Sequence, residues 1–324
     1  MQTPQEAAPL QWQRSVTPTD AAPKPSTWHT PGPSMATPEA VPDASGYQLL
    51  DTGNGAKLEQ VGPYRLVRPA PQALWRPSYP SEVWDTAAAW YHRRSSGGGA
   101  WTSKDKLPPT WVVTYCDLTL KVKLTDFGHL GFFAEHGPHW QWVHQRIHTA
   151  GRPIHLLNAF AYTGGISLAA AMAGASVVHL DAADGSVAWA RDNAQLSGLA
   201  EAHIRWVVED VSKFLTREVR RGNRYDALVL DPPSFGRGSK GEVWKLERDL
   251  PALLDLCSQV LSNAPLFVLL SAHTPGVTPL VLAHLLADML GNRGGLLTSM
   301  EMVMPQRDGT RVLPSGALAR WSRD

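Results

Sequence analysis

Three aspartates, each closing an apolar run, are the side chains in this sequence best placed to do chemistry: Asp181, Asp210 and Asp231. Asp181 ends the run Val177-Val-His-Leu-Asp181. It comes about 20 residues after the stretch Ile154-His-Leu-Leu-Asn158-Ala-Phe160-Ala-Tyr162-Thr163-Gly164-Gly165, a spacing suited to ribose recognition. In that stretch an apolar strand stops at glycine and restarts as an Ala-rich helix. Such a turn presents free backbone N–H groups at a helix N-terminus, where a polar or anionic ligand binds. Many α/β folds make this turn for packing alone. The acid after the following strand, placed to accept from ribose hydroxyls, moves the reading to a nucleoside-containing cofactor.

Asp210 lies in Glu209-Asp210-Val211 after another apolar run. It could accept from an adenine amine, with Val211 donating through its backbone, or simply cap the helix that follows; one carboxylate could do both. Asp231 opens Asp231-Pro232-Pro233-Ser234-Phe235, the most specific signal in the chain. The two prolines stiffen the turn and leave Asp231 and the Pro232 carbonyl as acceptors. Phe235 offers a flat face to a base that has left its own stack.

The elements that must position these residues alternate regularly. Strands are expected over 154–159, 176–180, 204–208, 225–230 and 266–271, with helices over 166–173, 185–197, 211–220, 243–261 and 278–290 after them, and a further helix over 140–149 before the first. That alternation means βαβ units and a parallel sheet. Two runs at 296–304 and 317–321 are separated only by a loop and should close the sheet as an antiparallel pair. In such a sheet ligands bind beyond the carboxyl ends of the strands, where all three aspartates fall.

The sequence of 324 residues is long enough for one large or two moderate domains. Its 43% hydrophobic and 18% charged residues are ordinary for a globular protein, and a net charge of +1 neither favours nor excludes nucleic acid. Two cysteines, Cys116 and Cys257, cannot build a disulfide framework or a metal cluster, so a reducing cytoplasm is the expected setting. No apolar run approaches the roughly 18 residues of a membrane span, and no membrane is expected. Residues 1–45, rich in Pro, Thr, Ala and Ser, are expected to be disordered; they lack the arginines of a transit peptide, and Met35 offers an alternative start.

Residues 46–130 read as a small β-rich accessory domain, with strands over 64–68, 111–115 and 118–124. In Leu118-Thr-Leu-Lys121-Val-Lys123-Leu one face is apolar and the other carries the lysines, as in a half-exposed antiparallel strand. Its tryptophans, with Arg65, Arg68, Arg76, Arg93 and Arg94, could grip RNA. The favoured reading is that a small domain builds its core from Trp. Residues 131–324 form the second domain.

The segments Asn158–Gly164, Asp181, Ala190-Arg-Asp-Asn-Ala-Gln-Leu-Ser-Gly-Leu199, Glu209-Asp210-Val211 and Asp231–Phe235 follow one another as in class I S-adenosylmethionine-dependent methyltransferases. Within these the chain most resembles the 23S ribosomal RNA methyltransferases that modify cytosine C5 or guanine N7. Gly131-Phe-Phe133-Ala-Glu-His136 resembles their Gly-aromatic-aromatic segment. The resemblance covers about 110–324 and implies a Rossmann-like α/β sheet, S-adenosyl-L-methionine as cofactor, and large-subunit ribosomal RNA as partner; a homodimer is a further expectation. By position, Asn158, Phe160, Tyr162, Thr163 and Gly164 would cradle the methionine end. Asp181 with Ala182 would hold the ribose, and Asp210 with Val211 the adenine. Asp231, Pro232, Pro233 and Phe235 would frame the target base, with Phe133 and His136 lining the same cleft and Phe133 and Asp231 also contacting the cofactor.

The chain departs from this pattern in one respect. Cytosine-C5 transfer needs a thiolate that adds to C6, and relatives with that chemistry carry it in a Ser-Cys-Ser segment after the fifth strand. Here that place reads Ser271-Ala272-His273-Thr274. Cys257 sits among leucines at helical core spacing and Cys116 on an expected strand, so both read as buried apolar residues. A ring nitrogen such as guanine N7 needs no covalent catalyst, and N-methylation is the expected chemistry. His273 either contacts substrate or simply ends its strand.

The loop after the Pro-Pro turn carries Gly236, Arg237, Gly238, Lys240, Gly241, Lys245 and Arg248, and could close over a phosphate or merely be solvated. Arg217, Arg220, Arg221 and Arg224 read as helix-end charges complementing the dipole. Three readings compete with ribosomal RNA methylation. A nicotinamide-dependent dehydrogenase should carry Gly-x-Gly-x-x-Gly, absent here. The others are a catalytically silent RNA-binding ribosome-assembly protein, and a methyltransferase for a protein or small-molecule acceptor.

Overall fold

The computed structural model describes residues 46–94, 98–237, 243–307, 309 and 311–323. The tail expected to be disordered, 1–45, lies outside them, as do Gly238, Lys240 and Gly241 and the side chain of Arg237.

Among the described residues the chain opens with five short strands forming one sheet in chain order: β1 (Tyr47–Gly53), β2 (Ala56–Val61), β3 (Tyr64–Pro69), β4 (Ala89–Arg93) and β5 (Gly99–Ser103). Only β3 and β4 run parallel, joined through the single-turn helix α1 (Ser81–Trp84). The β1–β2 hairpin turns on Asn54-Gly55, both left-handed, as a two-residue turn matching the strand twist demands. A separate hairpin pairs β6 (Trp111–Tyr115) with β7 (Leu118–Val122). The alternation expected of β7 is there, its leucines and valine buried and the residues between them half-exposed. Cys116 is not on a strand, however: with Asp117 it forms the left-handed turn of this hairpin.

The second part is the expected alternation. It runs α2 (Gly137–His148), β8 (His155–Ala159), α3 (Gly165–Met172), β9 (Ser176–Asp181), α4 (Asp184–Leu196), β10 (Ile204–Val208), α5 (Val211–Arg221) and β11 (Ala227–Leu230). After these come β12 (Phe235–Arg237), β13 (Val243–Lys245), α6 (Leu246–Val260), β14 (Phe267–Ala272), α7 (Pro279–Leu290), β15 (Leu296–Pro305) and β16 (Val312–Ser322). The main sheet has the order β10-β9-β8-β11-β14-β16-β15. Its first five strands are parallel and the last two antiparallel. β8 and β11 are neighbours, so the strand order reverses between them and the carboxyl ends open a crevice there.

One expected element fails. The helix expected over 243–261 begins only at Leu246, because Val243–Lys245 pairs back on Phe235–Arg237. The sheet is otherwise built as its sequence demands: β11 and β14 are buried throughout, as strands covered by helices on both faces must be.

The two parts are packed together. Side chains from β1, β3, β6 and β7 share one apolar cluster with α2, α3, β8 and β16. Polar ties run to the far end of the chain: Asp51, fully buried, accepts from Ser78 N, Tyr79 N, Trp84 Nε1 and, at 2.7 Å, Gln306 Nε2. Glu59, also fully buried, receives Arg68 through two hydrogen bonds (2.6 and 2.7 Å) and lies 3.1 Å from Lys57. Arg68, expected among the RNA-gripping arginines, is therefore spent inside the fold.

Candidate active site

The cleft at the β8–β11 crevice is lined by Phe132, Phe133, His136, Trp140, Asn158, residues 160–166 and Asp231. Its floor is the glycine turn. Phe160 and Tyr162 both hold left-handed backbone conformations (φ 58° and 50°), as does Gly164 (φ 96°). Such conformations cost about 1–2 kcal/mol for a residue with a Cβ and persist only where the surroundings impose them. Asp181 helps impose the second of them: its carboxylate accepts from Tyr162 N (2.8 Å) as well as from Ala183 N (2.9 Å). Burial pushes the Asp181 carboxyl upward against these backbone donors, and the net shift is up. Helix α3 starts immediately after Gly164 with no side chain capping it, so its first N–H groups face the cleft.

Asn158 is buried and donates to Ser167 Oγ (3.0 Å), which contacts His179 Nδ1 (2.9 Å). Burial pushes His179 down to about 3, so this ring is neutral and structural. Thr163 spends its hydroxyl on Gly131 O and its carbonyl on Asn193. Ala182 is exposed beside Asp181. Asp210 lies one strand further along, where Glu209 N donates to Asp181 O (3.1 Å). It caps α5 by accepting from Lys213 N (2.9 Å), and Val211 is buried beneath it.

The opposite wall carries Asp231. Its Oδ1 accepts from Ser271 Oγ at 2.7 Å and lies 3.9 Å from His273 Nε2, while Oδ2 is 3.5 Å from His136 Nε2. Burial pushes the Asp231 carboxyl up, but His136 and His273 outweigh it and hold it well below the carboxylate range. Burial likewise lowers His136, and the attraction of Asp231 more than reverses this, leaving the imidazole above its ordinary value. Phe133 stacks on the His273 ring (5.7 Å, 30°) and tilts against Tyr162 (5.5 Å). Gly316, on the bulged part of β16, approaches so closely that a Cβ there would lie 3.0 Å from His273 Nδ1.

Pro232 is buried and Pro233 exposed. The Pro233 carbonyl accepts from Trp244 Nε1 (2.7 Å), and the Trp244 ring packs on Phe160 (5.4 Å). Phe235 is 51% exposed on β12. Of the expected site residues, Phe133, His136, Asn158, Phe160, Tyr162, Thr163, Gly164 and Asp231 line one cleft. Asp181, Ala182, Asp210 and Val211 adjoin it along the strand ends, while Pro232, Pro233 and Phe235 follow Asp231 in the chain and are not among the residues that line it. Trp244 and Ser271 were missed. Trp244 lay in a segment expected to be helical, and nothing local marks Ser271 as the partner of Asp231.

Cys257 is buried in α6 and Cys116 at its hairpin turn, and burial pushes both thiols up to about 12. Neither lines the cleft. Of the expected loop cations, Arg248 is paired with Asp249. In the helix-end cluster, Arg217 pairs with Glu209 and Arg221 with Glu218.

A family model described as S-adenosylmethionine-dependent methyltransferase matches residues 86–265, more than half of the sequence. The chain belongs to that family. A solved SAM-dependent methyltransferase from Agrobacterium tumefaciens is 42% identical to it, with a TM-score of 0.83 over 87% of this chain and 92% of that one. Ribosomal RNA large subunit methyltransferase K/L of Hahella chejuensis is 34% identical over 143 residues, 44% of this chain and 19% of that protein. The same enzyme of Cellvibrio japonicus is 27% identical over 264 residues, 80% of this chain and 31% of that protein. The methyltransferase thus spans less than a third of the length of these curated relatives.

The site fits the cofactor. The uncapped start of α3 suits the methionine carboxylate, the edge carboxylate Asp181 suits ribose hydroxyls, and aromatic faces with one carboxylate, Asp231, suit a cationic methyl donor. No helix among the described residues is long and apolar enough to cross a membrane.

Proposed function

We propose that this methyltransferase N-methylates a base of large-subunit ribosomal RNA, a guanine N7-like ring nitrogen. The observation that carries the reading is the Asp231–Phe235 turn: an acid inside the cleft and, four residues on, a half-exposed flat aromatic face, while both thiols are buried and neither lines the cleft. Bound S-adenosylmethionine supplies an electrophilic methyl on sulfonium. Asn158 to Gly164 hold its methionine end, Asp181 and Ala182 its ribose, and Asp210 and Val211 its adenine. Asp231 and the Pro232 carbonyl orient the base by accepting from its amine edge, and Phe235 stacks on it. Phe133 and Tyr162 exclude water, so alignment and desolvation rather than proton removal lower the barrier. Residues 46–130 serve as the accessory domain to the catalytic 131–324.

The names of the curated relatives support the ribosomal substrate. The test is transfer of a labelled methyl group to unmodified ribosomal RNA, with nucleoside digestion and mass spectrometry. Labelled 7-methylguanosine is expected. Labelled 5-methylcytidine would overturn N-methylation, and cofactor binding without label in any RNA or ribosomal particle would overturn the RNA reading.

A further inference from the structure

His136, Asp231 and His273 converge from three places in the chain: the 3-10 turn Ala134–His136, the end of β11 and the end of β14. Each offers one ligand atom, and all three atoms lie within 4.8 Å of one another. The two Nε2 atoms are 3.4 Å apart, His136 Nε2 is 3.5 Å from Asp231 Oδ2, and His273 Nε2 is 3.9 Å from Asp231 Oδ1. Zinc bonds of about 2.0–2.1 Å arranged tetrahedrally set ligand atoms roughly 3.3–3.4 Å apart. Two of these separations are that size; the third is slightly longer and reaches the other carboxylate oxygen, so Asp231 turns one oxygen toward each imidazole, as a carboxylate that binds a metal through both oxygens can.

We propose that these three side chains bind a divalent first-row transition cation of the zinc class, with the fourth position open to the cleft. Two imidazoles and one carboxylate select such an ion over Mg²⁺ or Ca²⁺, which prefer all-oxygen shells. Three protein ligands leave one position for water or another exchangeable ligand, unlike the closed four-ligand shell of a structural site.

The surroundings hold the ligands in this pose. Ser271 Oγ fixes Asp231 through Oδ1, and Glu135 Oε1 stands 4.0 Å from His273 Nδ1, beyond hydrogen-bond reach but on the side from which a second carboxylate orients a metal-bound histidine. Phe133 and Gly316 restrict the His273 ring. His136, whose Nδ1 has no hydrogen-bond partner among the described residues, is held by the rings of Phe133 and His139. A cation here and a base seated at the Asp231 turn draw on the same carboxylate. On the acceptor reading above, zinc therefore competes with substrate.

The test begins with full-length protein freed of metal by chelator and titrated with Zn²⁺ in a calorimeter, without RNA. One site per chain is expected, weakened roughly 100-fold or more by His273→Ala. A second pair, His144 and His148 stacked at 5.9 Å on α2, could also take zinc, so His148→Gln serves as the control and should leave the site intact. Co²⁺ in place of zinc should give the intense visible bands of a four-coordinate ion in the wild type and lose them in His273→Ala. Each variant is checked for an unchanged melting temperature and for S-adenosylmethionine binding. Absence of a zinc site in the wild type, binding equal in His273→Ala, or loss in His148→Gln would overturn the proposal. Should zinc bind yet leave labelled transfer to RNA unaffected, the competition is wrong while the site stands. Failure to methylate RNA at all would instead count against the proposed function, since metal binding is read separately.

Discussion

Replacing Asp181 by alanine should damage cofactor binding through two routes, and their sizes follow from the contacts. The carboxylate accepts two backbone N–H groups, at 2.8 and 2.9 Å, and one of them belongs to Tyr162 in the left-handed turn. Hydrogen bonds to a charged group contribute about 1.5–3 kcal/mol each. Their loss removes a bond that holds Tyr162 in its left-handed conformation, which costs about 1–2 kcal/mol. The second route is the ribose itself: two hydroxyl contacts to the same carboxylate at about 1.5 kcal/mol each make about 3 kcal/mol, or at least ~100-fold in affinity. Calorimetry with S-adenosylhomocysteine should show that loss for Asp181→Ala. A 2′-deoxy analogue of the same ligand separates the routes. The wild type should bind it about tenfold or more weakly, and Asp181→Ala should scarcely distinguish it from the parent. If the wild type binds both ligands equally, Asp181 does not hold the ribose, whatever happens to the turn.

Cys116→Ser and Cys257→Ser should each leave methyl transfer running in folded protein, because both thiols are buried and held near pKa 12; loss of turnover by a folded variant would revive a covalent route. Phe235→Ala should lower transfer to RNA while moving stability by no more than about 0.5 kcal/mol and leaving cofactor affinity alone, since the ring is half exposed; a fall in cofactor affinity of similar size would contradict a base-stacking role. Burial raises the Glu59 carboxyl, but Arg68 and Lys57 outweigh it and bring it from 4.5 to about 2, a difference on the order of 3 kcal/mol. That stability is present above about pH 4.5 and is lost as pH falls toward about 2, so urea unfolding of the wild type should weaken through this window more steeply than that of Glu59→Gln; parallel curves would remove Glu59 as the cause.

The parallel-sheet half was legible because its strands are short continuous apolar runs between amphipathic helices, a pattern that few other arrangements satisfy. The run Ile204–Val208 is a strand at those limits, and Asp181, Asp210 and Asp231 stand at the strand ends their spacing implied. The β-rich half was not legible to the same degree. Its β1, β2, β4 and β5 are held by pairings and buried charges that look like surface residues in the sequence. Asp51 and Glu59 are both fully buried, and nothing near them in sequence says that Gln306 and Arg68 will satisfy them. The same non-locality hid the histidine–aspartate cluster, whose two imidazoles are 137 residues apart in the chain. Val243-Trp244-Lys245 misled for a different reason: it could begin a helix, and only pairing with Phe235–Arg237 makes it a strand.

That buried polar network bears on the site. The cofactor side of the cleft is made by the parallel sheet and the turn into α3, but its other wall, Phe132 to His136, belongs to no strand of that sheet. What holds it is the β-rich half. Tyr47 and Tyr115 pack their rings on Phe132 at 5.7 Å, and the Tyr115 hydroxyl donates to Ala134 O at 2.8 Å. Tyr47 in turn donates to Glu59, and β1 is pinned to the far end of β15 through Asp51 and Gln306. Phe133 and His136 are thus positioned by strands that precede the seven-stranded sheet and by the strand pair that closes it. A perturbation at Glu59 or Asp51 would therefore act on alignment of the acceptor before it acted on the cofactor, because the cofactor turn is fixed separately by Asp181.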